Sequence, residues 1–215
     1  MFIEFLLEER SAEATLRNLL PKILGEHVDF RLHAYQGKPD LLNKLPDRLR
    51  GYRAWMPNDY YIVVLIDADD EECEALKAKL ETIARKAGLH TKSAVLPEMH
   101  FQVLNRLAME ELEAWFFGDV PALRAAYPRI SAHLEHRANY RDPDAIPGGT
   151  WEALQRLLKH HQYPLPGKIT IAEKVSIHMD PDRNRSHSFQ VFVEGLDAIL
   201  EDANRGLIRG ALREN

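Results

Sequence analysis

Tyr60-Tyr61-Ile62-Val63-Val64-Leu65-Ile66-Asp67-Ala68-Asp69 is the stretch on which the fold turns. Seven aromatic or aliphatic residues run without a polar interruption. A strand that is apolar on both faces is one covered on both faces, as in the middle of a parallel sheet. Asp67 ends the run, and the second aspartate marks the point where the chain leaves the sheet. Parallel neighbours need long crossovers, so helices are expected on either side in sequence.

The flanking segments meet that expectation. Residues 71–87 carry Leu76, Leu80 and Ile83 on one helical face and stop at Gly88. Upstream, residues 2–7 read as a short apolar strand ending in Glu8-Glu9. A helix follows, with Ser11 as its cap, Glu13 in its first turn, Leu16, Leu19, Leu20 and Ile23 along one side, and Gly25 at its end. Residues 28–35 alternate apolar and polar, the pattern of a half-covered strand at a sheet edge. A helical stretch is expected over 40–53, allowing for a break at Pro46. Downstream, residues 93–96 and 101–109 read as two more strands, and 110–117 as the opening of a helix. This predicts an α/β fold: a Rossmannoid, mostly parallel central sheet flanked by helices. Beyond Gly118, residues 137–149 read as a loop, and 151–161, 171–179 and 188–200 as helices. The expected division is an α/β domain over 1–119 and a helical C-terminal extension over 120–215 packed on it.

At 215 residues, with 45% hydrophobic and 28% charged side chains, the chain can bury a core and solvate its surface. Its apolar runs fall far short of the roughly 20 residues a spanning helix needs. The N-terminal residues read as a strand rather than a leader, so a cytoplasmic protein with no membrane partner is expected. The single cysteine, Cys73, lies among acidic residues and reads as an incidental thiol. A net charge of −5 argues against bulk electrostatic coating of nucleic acid, though not against an enzyme that acts on it.

Three of the expected strands end in acid: Glu8 and Glu9 after the first, Asp67, Asp69 and Asp70 after the apolar one, and Glu110, Glu111 and Glu113 after 101–109. Parallel neighbours would bring these side chains to one edge of the sheet, where ligands of such sheets gather. Crowded carboxylates repel unless a cation lies between them. A hard divalent ion suits them, Mg²⁺ (or Mn²⁺), which takes one or two carboxylates together with water and phosphate oxygens. The plainer reading is that acids at helix starts cap the helix and complement its dipole, which alone would account for Asp69, Asp70, Glu71 and Glu13.

Leu7-Glu8-Glu9-Arg10-Ser11-Ala12-Glu13 resembles the opening "VEGxTE" element of the TOPRIM domain, and Leu65-Ile66-Asp67-Ala68-Asp69 resembles its metal-binding strand end. The chain departs from that pattern in carrying Glu9 in place of the glycine and Glu13 one position late. Glu8, Glu9 and Glu13 therefore stay open as the catalytic glutamate. A whole-length resemblance is to the TOPRIM-like family catalogued as domain of unknown function 4276. It rests on the same two motifs, on Glu111-Leu112-Glu113-Ala114-Trp115 with Gly118-Asp119, and on Asp180-Pro181, Arg183-Asn184-Arg185-Ser186 and Ser188-Phe189. The resemblance implies a nuclease or related phosphodiester-processing enzyme acting on nucleic acid. Glu8, Asp67 and Asp69 would be catalytic; Glu8, Asp67, Asp69, Asp70, Glu111 and Glu113 would be the metal set. Likeness to OLD-type nucleases further implies a separate ATPase partner in a defence system. Oligomeric state stays open.

Lys168, Arg183 and Arg185, with Ser186 and Ser188 at the start of the last helix, form a candidate phosphate-binding group, against the simpler role of a serine helix cap. Trp115, with Leu112, Phe116 and Phe117 at helical spacing, reads as a core anchor. His133 and His136 lack the partners of a zinc site, and no Gly-x-x-x-x-Gly-Lys loop is present. Two rival readings are a receiver-like module phosphorylated on Asp67 and a catalytically silent interaction subunit.

Overall fold

A computed structural model of the chain describes residues 1–69, 71–109 and 111–211. The elements run β1 (Phe2–Leu7), α1 (Arg10–Leu24), β2 (Asp29–Ala34), α2 (Lys38–Arg53), β3 (Tyr60–Asp67), α3 (Cys73–Lys86), β4 (Val103–Ala108), α4 (Ala114–Gly118), α5 (Val120–Ala126), α6 (Thr150–His160), α7 (Lys168–Ser176) and α8 (His187–Ala211). The four strands lie in the order β2-β1-β3-β4, and every pairing is parallel. This is a Rossmann-like α/β sheet flanked by helices. As its lack of polar residues foretold, β3 is central and buried along its whole length. The alternating β2 is an edge strand.

The period-2 geometry of each strand sends its side chains to two faces. Ile3, Phe5, Leu7, Tyr61, Val63, Leu65 and Leu104 meet Leu16, Leu19 and Leu20 of α1, together with Trp115, Phe117, Phe189 and Phe192 from the later helices. Leu6, Ile62, Val64 and Ile66 face Leu41, Leu45 and Leu49 of α2 and Leu76 and Leu80 of α3. The first of these clusters contains residues from both sides of position 119, so the sheet and the later helices share one core.

Several boundaries differ from expectation. Helix α2 continues through Pro46 because Leu41, Leu45, Leu49 and Tyr52 keep one buried stripe in phase on both sides of it. Residues 92–94 form a 3-10 turn rather than a strand; only Thr91 bridges to Val103, so the strand beside β4 never extends. The helix expected from 110 starts at Ala114, after a turn in which the Ala114 amide donates to the Glu111 carbonyl. Helix α8 runs 25 residues, well past position 200. Among the described residues no helix is long and apolar enough to cross a membrane.

Candidate active site

Strand order decides where a ligand can enter. From β1 the chain crosses to β2 on one side and later to β3 on the other, so the two crossovers part at the carboxyl ends of β1 and β3. In open parallel sheets that parting is the crevice in which ligands bind. Glu8 immediately follows β1 and Asp67 is the last residue of β3.

The Glu8 side chain meets the Asp67 backbone there. Glu8 Oε2 accepts a hydrogen bond from the Asp67 amide at 3.0 Å, and the Glu8 amide donates to the Leu65 carbonyl at 3.3 Å. Asp67 is 7% exposed. Burial pushes its carboxyl well above the usual range, and the nearby charges of Glu8, Glu113 and Glu9 push it further, against Lys168. Burial also raises Glu8, opposed by the Asp67 amide; Asp69 and Glu9 add to the rise, and Lys38 opposes it.

A lysine stands on each side of this pair. Gly37, at φ +94°, ends the β2 connection and starts α2, which puts Lys38 in the first turn at the site edge. Lys38 Nζ lies 2.7 Å from Asp69 Oδ2 and 3.1 Å from Glu71 Oε1, and donates to the Ala68 carbonyl at 3.2 Å. Asp69 takes a left-handed backbone at φ +50°, a conformation aspartate tolerates better than most side chains. Its carboxylate is thus turned to Lys38. On the other side, Lys168 begins α7 and sits 3.3 Å from Glu111 Oε1, 3.7 Å from Glu9 Oε1 and 3.8 Å from Glu113 Oε2. Burial disfavours its charge, but the carboxylates of Glu113, Glu9 and Glu111 more than reverse this and hold it protonated.

Glu111 and Glu113 differ in what holds them. Glu111 Oε2 accepts from Thr150 Oγ1 at 3.1 Å and from the Trp151 amide at 2.7 Å, so it also closes the start of α6. Glu113 is 1% exposed, and among the described residues its Oε2 has no hydrogen-bond partner. Burial, with Glu111 and Glu9 adding and Lys168 opposing, lifts its carboxyl to about 7.

Of the expected metal set, Glu8 is bonded to the Asp67 backbone, and Glu8 and Glu113 both act on the Asp67 carboxyl through their charge. Asp69 and Glu111 are turned toward lysines, and Asp70 lies outside the described residues. Among the described residues, no three Asp, Glu, His or Cys side chains converge on one point as ligands. The donor set still fits one hydrated hard cation, because the Glu8 carboxylate is held on the Asp67 backbone and its charge acts on the Asp67 carboxyl, a repulsion such a cation would relieve.

The expected phosphate-binding group is dispersed, and its donors have other partners. Lys168 belongs with the acids. Arg183 clasps the buried Asp119 with Nε at 2.7 Å and Nη2 at 3.0 Å. Arg185 lies 3.4 Å from Glu135 and donates to the Arg141 carbonyl at 3.3 Å. Ser186 and Ser188 both donate to Asp144, at 2.9 and 2.7 Å, so a carboxylate of the chain itself stands at the start of α8. Trp115 is fully buried, its indole N–H donating to Ser188 Oγ at 3.0 Å.

The reading of the residues missed Lys38. It lies in the loop after β2, and every loop that follows a parallel strand opens on the same edge of the sheet; that placement was the available signal.

The chain matches the family described as Domain of unknown function (DUF4276) over residues 7–197. It belongs to that family. No curated protein and no solved structure matches it. The matched segment takes in both lysines and every described acid of the site, from Glu8 through Lys168.

Proposed function

We propose that this family member is a Mg²⁺-dependent phosphodiester-processing enzyme of the TOPRIM type, acting on nucleic acid, with Glu8 and Asp67 at its centre. The observation that carries this reading is the Glu8 carboxylate held on the Asp67 amide at the parting of the crossovers between β1 and β3. Asp67 is buried, Glu8 is half-buried, and the charge of Glu8 raises the Asp67 carboxyl, an arrangement that disfavours charge unless a cation offsets it. Glu8 and Asp67 would hold the ion, which when bound supplies stabilisation of charge on a phosphoryl oxygen. Lys38 and Lys168 flank the pair and bring positive charge to the edge where a phosphate would approach. Glu113 keeps Lys168 in place.

A second reading rests on those same lysines. They offset Asp69, Glu71, Glu9, Glu111 and Glu113 from within the chain, as a catalytically silent interaction module would require.

Cleavage of single- and double-stranded DNA and of RNA, assayed with Mg²⁺ and with Mn²⁺, tests the proposal. The expected result is cutting by the wild type that drops at least a hundredfold in Asp67→Asn and Asp67→Ala, on the order of a lost metal-centred contribution. Mg²⁺ should raise the melting temperature of the wild type and not that of Asp67→Asn. Equal cutting by all three proteins would remove Asp67 from the chemistry. No cutting combined with no thermal response to either metal would favour the silent module.

A further inference from the structure

A second group of polar and aromatic side chains lies toward the other end of the sheet. A cavity of about 330 Å³ opens between the edge strand β2 and the last turns of α2, within the size range of small-molecule pockets. Its floor is Glu4, a carboxylate 1% exposed in the middle of β1. Tyr60 donates its hydroxyl to Glu4 Oε2, and His33 and Arg48 lie against Oε1, Arg48 at 3.7 Å. The walls are Tyr52, Tyr60 and Trp55. Trp55 stands edge-on to Tyr60, with ring centres 5.2 Å apart, and near Tyr52 at 5.8 Å. Its indole is 59% exposed although it belongs to an aromatic group, so a flat face is left open to solvent.

The cations of this cavity exceed what its acids use. Glu4 is shared by Tyr60, His33 and Arg48, and Asp47 at the rim is paired with Arg50. Arg48 is held in place, its Nε donating to the Tyr52 hydroxyl at 2.8 Å and its guanidinium lying 5.2 Å over the Tyr52 ring. Arg31 lies 5.8 Å over the Phe2 ring and forms no ion pair among the described residues. Arg48 Nη2 also lies 2.7 Å from His33 Nε2, while its Nη1 and the Arg31 guanidinium have no hydrogen-bond partner among the described residues. Two guanidiniums over aromatic rings with these donors suit a phosphate, which takes such forks in paired hydrogen bonds. An exposed indole beside them suits a planar base, since base-on-aromatic stacking is insensitive to which base it is. Hydroxyls and a carboxylate beneath would meet the polar edge of that base.

We propose that this cavity binds a nucleotide unit, its base stacked on Trp55 and its phosphate held by Arg31 and Arg48. The unit can come from a free nucleotide or from a nucleic-acid strand. The site does not depend on the carboxylates at the opposite edge, so it stands or falls apart from the catalytic proposal.

The test uses the full chain and three probes: adenosine 5′-monophosphate, a single-stranded hexamer of deoxyadenosine, and inorganic phosphate. The indole N–H signal of Trp55, identified by its loss in Trp55→Phe, should shift and saturate with the monophosphate or the hexamer. Calorimetric titration should find that Trp55→Ala and Arg31→Glu each weaken that binding by roughly tenfold or more, the scale of a lost stacking or charge contact. The shift of the Trp55 signal with the monophosphate should be the same in Asp67→Asn as in the wild type, and its loss there would overturn the separation of the two sites. Comparable binding of both nucleotide probes identifies a free nucleotide as the source, and much tighter binding of the hexamer identifies a strand. The proposal is overturned if no probe moves the Trp55 signal at millimolar concentration, if inorganic phosphate binds as well as the monophosphate, or if the two cavity variants bind like the wild type.

Discussion

Glu113 makes the electrostatics of the candidate site measurable at a single side chain. Its carboxyl titrates near 7 in the folded protein, against an ordinary value of 4.5, chiefly because it is buried. Below pH 4.5 the folded and unfolded chains both keep the proton, and the group is neutral in its effect on stability. Between 4.5 and 7 the unfolded chain has given up a proton that the folded chain still holds, so stability falls as pH rises. Over that window the loss amounts to about 3 kcal/mol. Glu113→Gln keeps the shape and removes the titration. The variant should therefore gain on the wild type by about 3 kcal/mol between pH 4.5 and pH 7.5, read from urea unfolding at the two values. A difference that stays constant with pH would mean that Glu113 is not held protonated by burial. That Glu113 would share a neighbourhood with Glu8 and Asp67 was legible, since acids at the ends of parallel strands must share an edge. That Glu111 would turn to the start of α6 was not, because its partners Thr150 and Trp151 lie about forty positions away and no local pattern announces them.

At the scale of elements, the start of α8 shows why local signals went only part of the way. Ser186 precedes the helix, and its hydroxyl accepts from the Phe189 amide at 3.2 Å, the capping geometry that a serine before an apolar helix suggests. What no local reading contained is Asp144. From a short turn more than forty residues earlier, it accepts from the His187 amide at 2.5 Å, the Ser188 amide at 3.2 Å and both serine hydroxyls. A carboxylate there satisfies amides that the helix leaves without internal partners and complements the positive end of the dipole. Removing it in Asp144→Ala should cost about 2 kcal/mol, at the upper end for a lost cap because several donors lose one acceptor together. Chemical denaturation would measure the loss, and Asp144→Asn, which keeps an acceptor, should recover part of it. A cost under about 0.5 kcal/mol, the level of an ordinary surface change, would show that water replaces the carboxylate freely. The same reasoning explains the strands and helices that were legible. Runs such as residues 60–66 carry their burial in their own composition, whereas the 3-10 turn at Lys92–Ala94 depends on how little of its neighbour β4 can reach.

For the whole molecule, the sheet order and the site belong to one argument. A chain that crosses from β1 to opposite sides leaves a crevice at one edge, and the acids and both lysines border it. Lys168 comes from α7, far beyond the last strand, so the edge is completed by the later helices. Packing follows the same plan. Phe5, Val63 and Leu104 on the sheet share a cluster with Phe189, Phe192 and Leu196 of α8 and with Ile171 and Val175 of α7. On the other face, among the described residues, α2 and α3 are the helices that share a core with the sheet. A fragment of residues 1–119 would keep that second face and lose much of the cover on the first, exposing a contiguous apolar surface that water disfavours by about 25 cal/mol for each Å². Such a fragment should fail to unfold cooperatively in urea and should give poorly dispersed amide proton signals, while the full chain unfolds in one transition followed equally by fluorescence and by far-ultraviolet dichroism. Adding the separately produced segment 120–215 should restore dispersion in proportion to its concentration, because the two parts then rebuild the shared cluster. A dispersed, cooperatively unfolding fragment would instead mean that α1, α2 and α3 suffice to hold the sheet. The crevice would then form without Lys168, and the later helices would be needed only for the charge they bring to it.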